Sequence, residues 1–440
     1  MEDDIFKAID ILRKYNSETN MIEAKSATLG FPKKCYDTFS SFSNNFGGII
    51  IFGLDERNNF KTEGVYDVND IQKKITNLCS DSMYPQLRPD ILSLEFEGKI
   101  IVAVKIEELT PNNKPCYYKP AGIRKGSYTR IGDRDDLMTD YELNSLLTYK
   151  EHVFEDIRAD DRVELNDLDL KKIDFYIEKI KNSKPHFSTN DFNRSLKLCG
   201  IVDKDLHPTL AGNMIFGKYP QNFYPQLFVA CVVVPGIELG DTGNLGERFI
   251  DNRRVDGNIE EMLEETIKFI RRNMKTSIII DKSGKRINRE EYPLEAVREA
   301  VLNALIHRDY SVQTESSYIS VYMYSDRIEI VSPGALYGSN KLEKLGTASS
   351  LEVRNPTIIR ILEELDYIEN RHSGIPTMKR EMEKYGLPEP EFYEERDSFK
   401  VIFRNKGVNT ATQSDTQLRK ESDKSDKIIN KILEYCVKPK

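Results

Sequence analysis

Residues 293–311 read PLEAVREAVLNALIHRDYS, and the spacing of their polar groups decides how the carboxy-terminal half of the chain is read. Ala, Val, Leu and Ile recur there with a helical period, and Pro293 stands at the start, where a helix tolerates proline. Glu299, Asn303 and His307 recur every fourth residue, so on an α-helix they form one column. Such a column is ordinarily a solvated seam on an amphipathic helix. Asn303 argues for more, because it has low helix propensity and lies deep in an apolar run, where an unpaired amide is costly. His307 is read as structural, capping the helix end, and Arg308 and Asp309 receive no role.

At 440 residues the chain exceeds one ordinary core, and about 150 residues per domain gives two or three domains. Hydrophobic residues make up 39% and charged residues 31%, and no apolar run approaches the roughly 20 residues of a membrane helix. The opening MEDDIFKAIDILRKY is acidic and amphipathic, unlike a secretory signal, so a cytoplasmic protein without membrane partners is expected. Six cysteines show no CxxC or Cys/His ligand spacing, which speaks against a zinc site and a disulfide framework. The net charge of −8 gives no global attraction to polyphosphate, so nucleic-acid binding would need a local basic patch.

The pattern over residues 1–150 is α+β. A helix is predicted over 4–15, a strand in NMIEAKSA, and a second helix between Pro32 and Gly47-Gly48. GIIIFGLDE follows as a buried strand, ILSLEFEGKIIVAVKIEEL as a strand pair, and GSYTRIGDRDDLMT as a further edge. Residues 151–245 begin polar and acidic, then turn helical, with FSTNDFNRSLKLCGIV and HPTLAGNMIFGK as consecutive helices and LFVACVVVPG as a strand. Residues 246–404 hold the long helix GNIEEMLEETIKFIRRNM, the opening helix, strands SYISVYMYS and RIEIVSPG, a Gly/Ser/Asn-rich loop, and a helix near RNPTIIRILEEL. Residues 405–440 begin as a polar linker expected to be disordered and close on KIINKILEYC, the start of a truncated helical domain with a winged helix among the candidates.

The chemical reading of the opening column gives Asn303 to a Mg²⁺ ion that bridges ATP phosphates, and Glu299 to the attacking water. REAVLNALIHRDY, with SPGAL and RHSGI downstream, resembles the GHKL (Bergerat-fold) ATPase module of a group of bacterial transcriptional regulators. The resemblance implies an α/β sandwich, ATP and Mg²⁺ as cofactors, Glu299 as general base, Asn303 as magnesium ligand, and an ATP lid between Gly334 and Arg354. It also implies Gly374 as the second glycine motif. Where such enzymes have Asp-x-Gly-x-Gly, with the Asp reading adenine, this chain has Ser332-Pro333-Gly334, so Ser332 and Gly334 stand at that place. No GxxxxGK[ST] occurs, which excludes a P-loop.

In the first 150 residues Glu18, Glu23 and Asp55 are the acids of interest. Glu23 and Lys25 share one strand face, and Asp55 directly follows an apolar strand. IEAK, SFSNNFGGIIIFGLDE and KPCYYKPAGIRKGSYTRIGDRDDLMT together resemble the Schlafen/AlbA-like domain. That resemblance implies nucleic-acid binding, and in some Schlafen proteins metal-dependent RNA cleavage by a Glu, Glu, Asp cluster whose order Glu18, Glu23 and Asp55 match. Converging carboxylates would hold Mg²⁺ or Mn²⁺ and lower the pKa of an attacking water. This chain has Glu23-Ala-Lys where the family commonly shows Glu-Phe-Lys. For binding, Lys25, Lys33, Lys34, Arg124, Lys125, Arg130 and Arg134 would contact phosphates, with Tyr117, Tyr118 and Tyr128 as stacking candidates. The expected protein is a homo-oligomeric regulator that binds nucleic acid and ATP. The alternative is a metal-dependent RNA or DNA endonuclease, of use in phage defence.

Overall fold

In this computed structural model residues 1–280, 286–347, 352–368 and 374–405 are described; the linker and helix expected beyond Asn405, with Cys436, lie outside them. Helix α1 (Glu2–Tyr15) carries three acids in its first turn and Arg13 and Lys14 in its last, the charge order a helix dipole favours, and buries Ile5, Ala8, Ile9 and Leu12. Strand β1 (Ile22–Lys25) runs parallel to β2 (Gly48–Phe52), with α2 (Cys35–Asn44) as the crossover. The return from α2 is tight. Gly47 has φ +72°, and a Cβ on Gly48 would lie 2.5 Å from the Phe42 ring.

After α3 (Val68–Asn77), strands β3 (Asp90–Phe96) and β4 (Lys99–Ile106) complete a sheet of order β1-β2-β4-β3. Both sheet faces are apolar. Ile50, Phe52, Val102 and Val104 pack with Phe39, Phe42 and Ile71 on one side, while Ile51, Ile101 and Ala103 pack with Ile5, Ile9 and Leu12 on the other. The two-residue period of the strands separates these sets. The stretch predicted as a further edge forms its own hairpin, β5 (Tyr128–Ile131) with β6 (Arg134–Leu137), packed on α2. Helix α4 (Asp140–Lys150) follows, and a capping box starts it: the Thr139 side chain accepts from Glu142 N at 3.2 Å and Glu142 Oε2 accepts from Thr139 N at 2.7 Å.

The rest of the described chain shares one core that runs from Leu168 to Phe403. Of the helices α5 (Leu170–Ser183), α6 (Phe192–Leu198) and α7 (Leu210–Phe216), the last two are shorter than the consecutive helices the sequence pattern predicts over 187–202 and 207–218. Gly200, at φ +68°, ends α6, and the chain then turns back so that Val202 bridges Pro208. Strand β7 (Val229–Val233) lies inside a six-stranded sheet, so the helical segment and the following module are built on the same core. Next come β8 (Asp251–Val255), α8 (Ile259–Asn273), the hairpin β9 (Thr276–Ile280) with β10 (Arg286–Glu290), and α9 (Leu294–Ile306). Strands β11 (Ile319–Met323) and β12 (Arg327–Pro333), helices α10 (Pro356–Glu364) and α11 (Gly374–Lys384), and strands β13 (Glu391–Glu394) and β14 (Ser398–Arg404) complete the unit. The strand order is β8-β7-β11-β12-β14-β13, with β7 and β11 parallel and the other pairs antiparallel. Among the described residues no helix is long and apolar enough to cross a membrane.

Candidate functional site

Helix α9 is apolar on nearly all sides and buries Ala296, Val297, Ala300, Val301, Leu302, Ala304, Leu305 and Ile306. Its column of Glu299 and Asn303 is half-buried and faces the start of α11. A Cβ on Gly374 would lie 2.2 Å from Glu299 Oε1 and 3.0 Å from Asn303 Nδ2, so the two polar side chains converge on a backbone that comes this close only because Gly374 has no side chain. His307 caps the helix, donating its backbone N–H to Asn303 O at 3.0 Å. Its ring keeps an open face, yet the protein packed around it and then the charge of Arg354 push its pKa down to about 4. The imidazole is therefore neutral beside the column.

Ser332 and Gly334 tie the end of β12 to this helix. Ser332 is buried and donates to Ala304 O at 2.8 Å, and Gly334, at φ +111°, leaves only 2.6 Å between a notional Cβ and Asp309 Cβ. Arg308 and Asp309, given no role from sequence, turn out to be buried. Arg308 donates to Asp309 O at 2.7 Å, Thr314 O at 2.9 Å and Ser317 O at 2.6 Å. Asp309 pairs with Arg354 and accepts from Tyr141 Oη at 2.9 Å and Ser311 N at 2.8 Å. Burial alone would raise the Asp309 pKa, but Arg354 and these donors hold it below the usual carboxylate range. Three consecutive polar residues after an apolar helix were the visible signal, but their partners Tyr141 and Arg354 come from elsewhere in the chain.

In the first domain, β1 delivers Glu23 to a buried charge network. Glu23 is 3% exposed; one carboxylate oxygen pairs with Lys25 and the other accepts from Arg130 at 2.7 Å. Arg130, with its side chain wholly buried, also pairs with Asp135 at 2.9 Å and donates to Thr19 O at 2.8 Å. Asp135 is further held by Thr38 at 2.7 Å and Ser41 at 2.5 Å. Glu18 accepts from Ala24 N at 2.8 Å, and burial together with the charge of Glu23 pushes its pKa up to about 9. Glu18 is thus protonated at neutral pH and sits beside Glu23 as a hydrogen-bond partner. Asp55 caps a short turn by accepting from Arg57 N at 3.1 Å. Among the described residues no group of three His, Cys, Asp or Glu side chains is arranged to hold a metal ion.

The network engages Lys25 and Arg130, while Lys33, Lys34, Arg124, Lys125 and Arg134 are exposed. Arg124 reaches Asp140 only loosely, at 3.7 Å, and Arg134 pairs with Asp136 at 2.7 Å. Between the cations Tyr36 and Tyr118 stack with ring centroids 4.1 Å apart, and Tyr128 meets Tyr36 edge-on at 6.1 Å. Tyr117 packs against Tyr84 at 5.5 Å. Tyr36 escaped the sequence reading although it directly follows Lys33-Lys34-Cys35.

Residues 18–139 match the family model described as "Schlafen, AlbA_2", and residues 316–403 match an ATPase-like (HATPase_c_4) model described as "Putative ATP-dependent DNA helicase recG C-terminal". The first match takes in Glu18, Glu23, Asp55 and the basic face; the second begins after α9 and takes in β11 to β14. No curated protein matches. Among solved structures, the DIP2311 protein from Corynebacterium diphtheriae is 15% identical with a TM-score of 0.44, covering 92% of this chain and 80% of that one. The N-terminal domain of a RecG-related protein from Nitrosomonas europaea is 26% identical with a TM-score of 0.25, covering 30% of this chain and 92% of that one.

Proposed function

We propose that this chain, a Schlafen/AlbA_2 domain fused to an ATPase-like domain, is a regulator that binds nucleic acid through its first domain and ATP through its second. The observation that carries the reading is the convergence of Glu299 and Asn303 on Gly374, a cradle that any side chain at position 374 would fill. Asn303 is the residue that would hold Mg²⁺, and Glu299 the one that would orient water; bound ATP would supply the phosphoanhydride. Ser332 is turned into the protein, so adenine would be read by other groups. Cations that alternate with stacked tyrosines suit a single strand, whose phosphates meet Lys33, Lys34, Arg124 and Lys125 while its bases meet tyrosine rings. In this reading the nucleic-acid contact is a cytoplasmic, transcription-level one.

The nuclease reading rests on Glu18, Glu23 and Asp55. In their present engagement both oxygens of Glu23 hold cations and Asp55 accepts from Arg57 N, so a divalent ion would have to displace Lys25 and Arg130. No cleavage step is assigned to them.

Two assays test the proposal. Titration with a fluorescent ATP analogue in Mg²⁺ should show N303A binding at least about tenfold more weakly, a difference of ~1.4 kcal/mol; equal affinity would remove the nucleotide site from α9. Filter binding of labelled single-stranded RNA and DNA should lose affinity and most of its salt dependence, about three units of slope, in the fourfold variant K33A/K34A/R124A/K125A. Run with Mn²⁺, the same incubation decides for the nuclease if wild type cuts and E23A does not.

A further inference from the structure

The loop after β12 is held at both ends by different parts of the molecule. Its described residues, 335–347, contain little regular structure beyond the single turn Leu342–Lys344. At one end Gly346 touches the start of α11: a Cβ there would lie 2.8 Å from Ile375 Cγ2, and Ile375 adjoins Gly374, where Glu299 and Asn303 converge. The other end is grasped by the first domain. Lys341 pairs at 2.5 Å with Glu108, which also holds Lys114 at 2.9 Å, and the Lys341 ammonium lies 5.6 Å from the Phe46 ring centroid. Tyr149 of α4 meets Tyr337 edge-on at 5.3 Å, and Tyr141 of α4 accepts from Ala335 N at 3.3 Å while donating to Asp309.

Building on the nucleotide reading above, we propose that residues 335–347 are a strap through which the first domain sets the affinity of the second for nucleotide. A segment without its own hydrogen-bond ladder is ordered only by what it touches. Its own domain grips the strap where Leu336 N donates to Glu394 at 2.9 Å, Asn340 donates to Glu352 O at 2.7 Å and Arg354 donates to Ala335 O at 2.7 Å; Glu108, Tyr141 and Tyr149 add the hold that fixes it beside the Asn303 site. Released, it must be ordered when nucleotide binds, and affinity falls by that entropy. Because a coupling between two sites is reciprocal, nucleic acid that shifts α4 or the Glu108 loop alters nucleotide affinity by the same factor in both directions.

The test uses the full chain and the double variant K341Q/Y141F, which leaves Glu108 on Lys114 and Arg354 on Asp309, with K341R as the conservative control. Limited trypsin digestion without nucleotide should cut after Lys344 about threefold faster in the double variant, and the Kd for Mg-ATP should rise by about the same factor, as suits contacts of partly exposed groups. K341R should behave as wild type, and urea midpoints should match, which separates the strap from global unfolding. Equal cutting rates and equal Kd values would overturn the proposal. Faster cutting of the variant, with Mg-ATP neither binding to wild type nor slowing its digestion, would keep the strap but overturn its coupling by failure of the nucleotide reading itself.

Discussion

A carboxyl group buried beside a second carboxylate lowers its energy by keeping its proton, and Glu18 does so against Glu23, which pairs with Lys25 and Arg130. The consequence for stability has a definite sign. Glu18 titrates near 4.5 when unfolded and at about 9 in the fold, so between those values the folded state binds more protons and stability falls as pH rises. E18Q keeps an acceptor for Ala24 N but cannot ionise; its melting temperature should decline less than that of wild type between about pH 5 and 9, measured by thermal denaturation in a pH series. Parallel curves would mean that Glu18 is ionised in the fold. Arg130 sits at the other end of the same network, and R130M would leave Glu23 with Lys25 as its one cation and Asp135 with the hydroxyls of Thr38 and Ser41. A loss of about 3–5 kcal/mol is expected from urea unfolding.

At the scale of elements, α4 matters beyond its length because it presents Tyr141 and Tyr149 to the second domain. Its start is set by the Thr139–Glu142 capping box, so T139A should lower stability by about 1 kcal/mol and also speed tryptic cutting after Lys344. A stability loss without faster cutting would disconnect the helix from the strap. Helix α11 offers a sharper probe. G374A places a methyl group 2.2 Å from Glu299 Oε1, so the Glu299 side chain must swing out of the cradle it shares with Asn303. Mg-ATP binding should be lost in this variant while nucleic-acid binding by the first domain stays at the wild-type level, measured on one preparation. Both losses together would mean that the unit as a whole had failed to fold.

For the whole molecule, what was legible in the sequence was whatever depends on spacing along the chain. A four-residue period placed Glu299 and Asn303 on one face of α9, and the apolar run GIIIFGLDE marked a buried strand, as found in β2. Gly47-Gly48 marked the end of α2, and the structure adds that backbone and side chains crowd there and at Gly374. Not legible were the hairpin β9–β10, whose exposed Ile278 and Ile280 carry no burial pattern, and the inward turn of Arg130, which reads in sequence like any other cation of a basic loop. Charge identifies a group that must be paired or solvated, but its partner is chosen by packing: Glu23 found Arg130, Asp309 found Arg354 and Tyr141, and Glu108 found Lys341 across the two domains. The sequence by itself determined where α1, α2, β2 and α9 fall and the column on α9, because local geometry is a matter of period and propensity. Only the tertiary structure decided which acids keep protons, which cations face solvent and how the two domains grip one loop, because Coulomb and hydrogen-bond energies depend on distances through space that spacing along the chain does not contain.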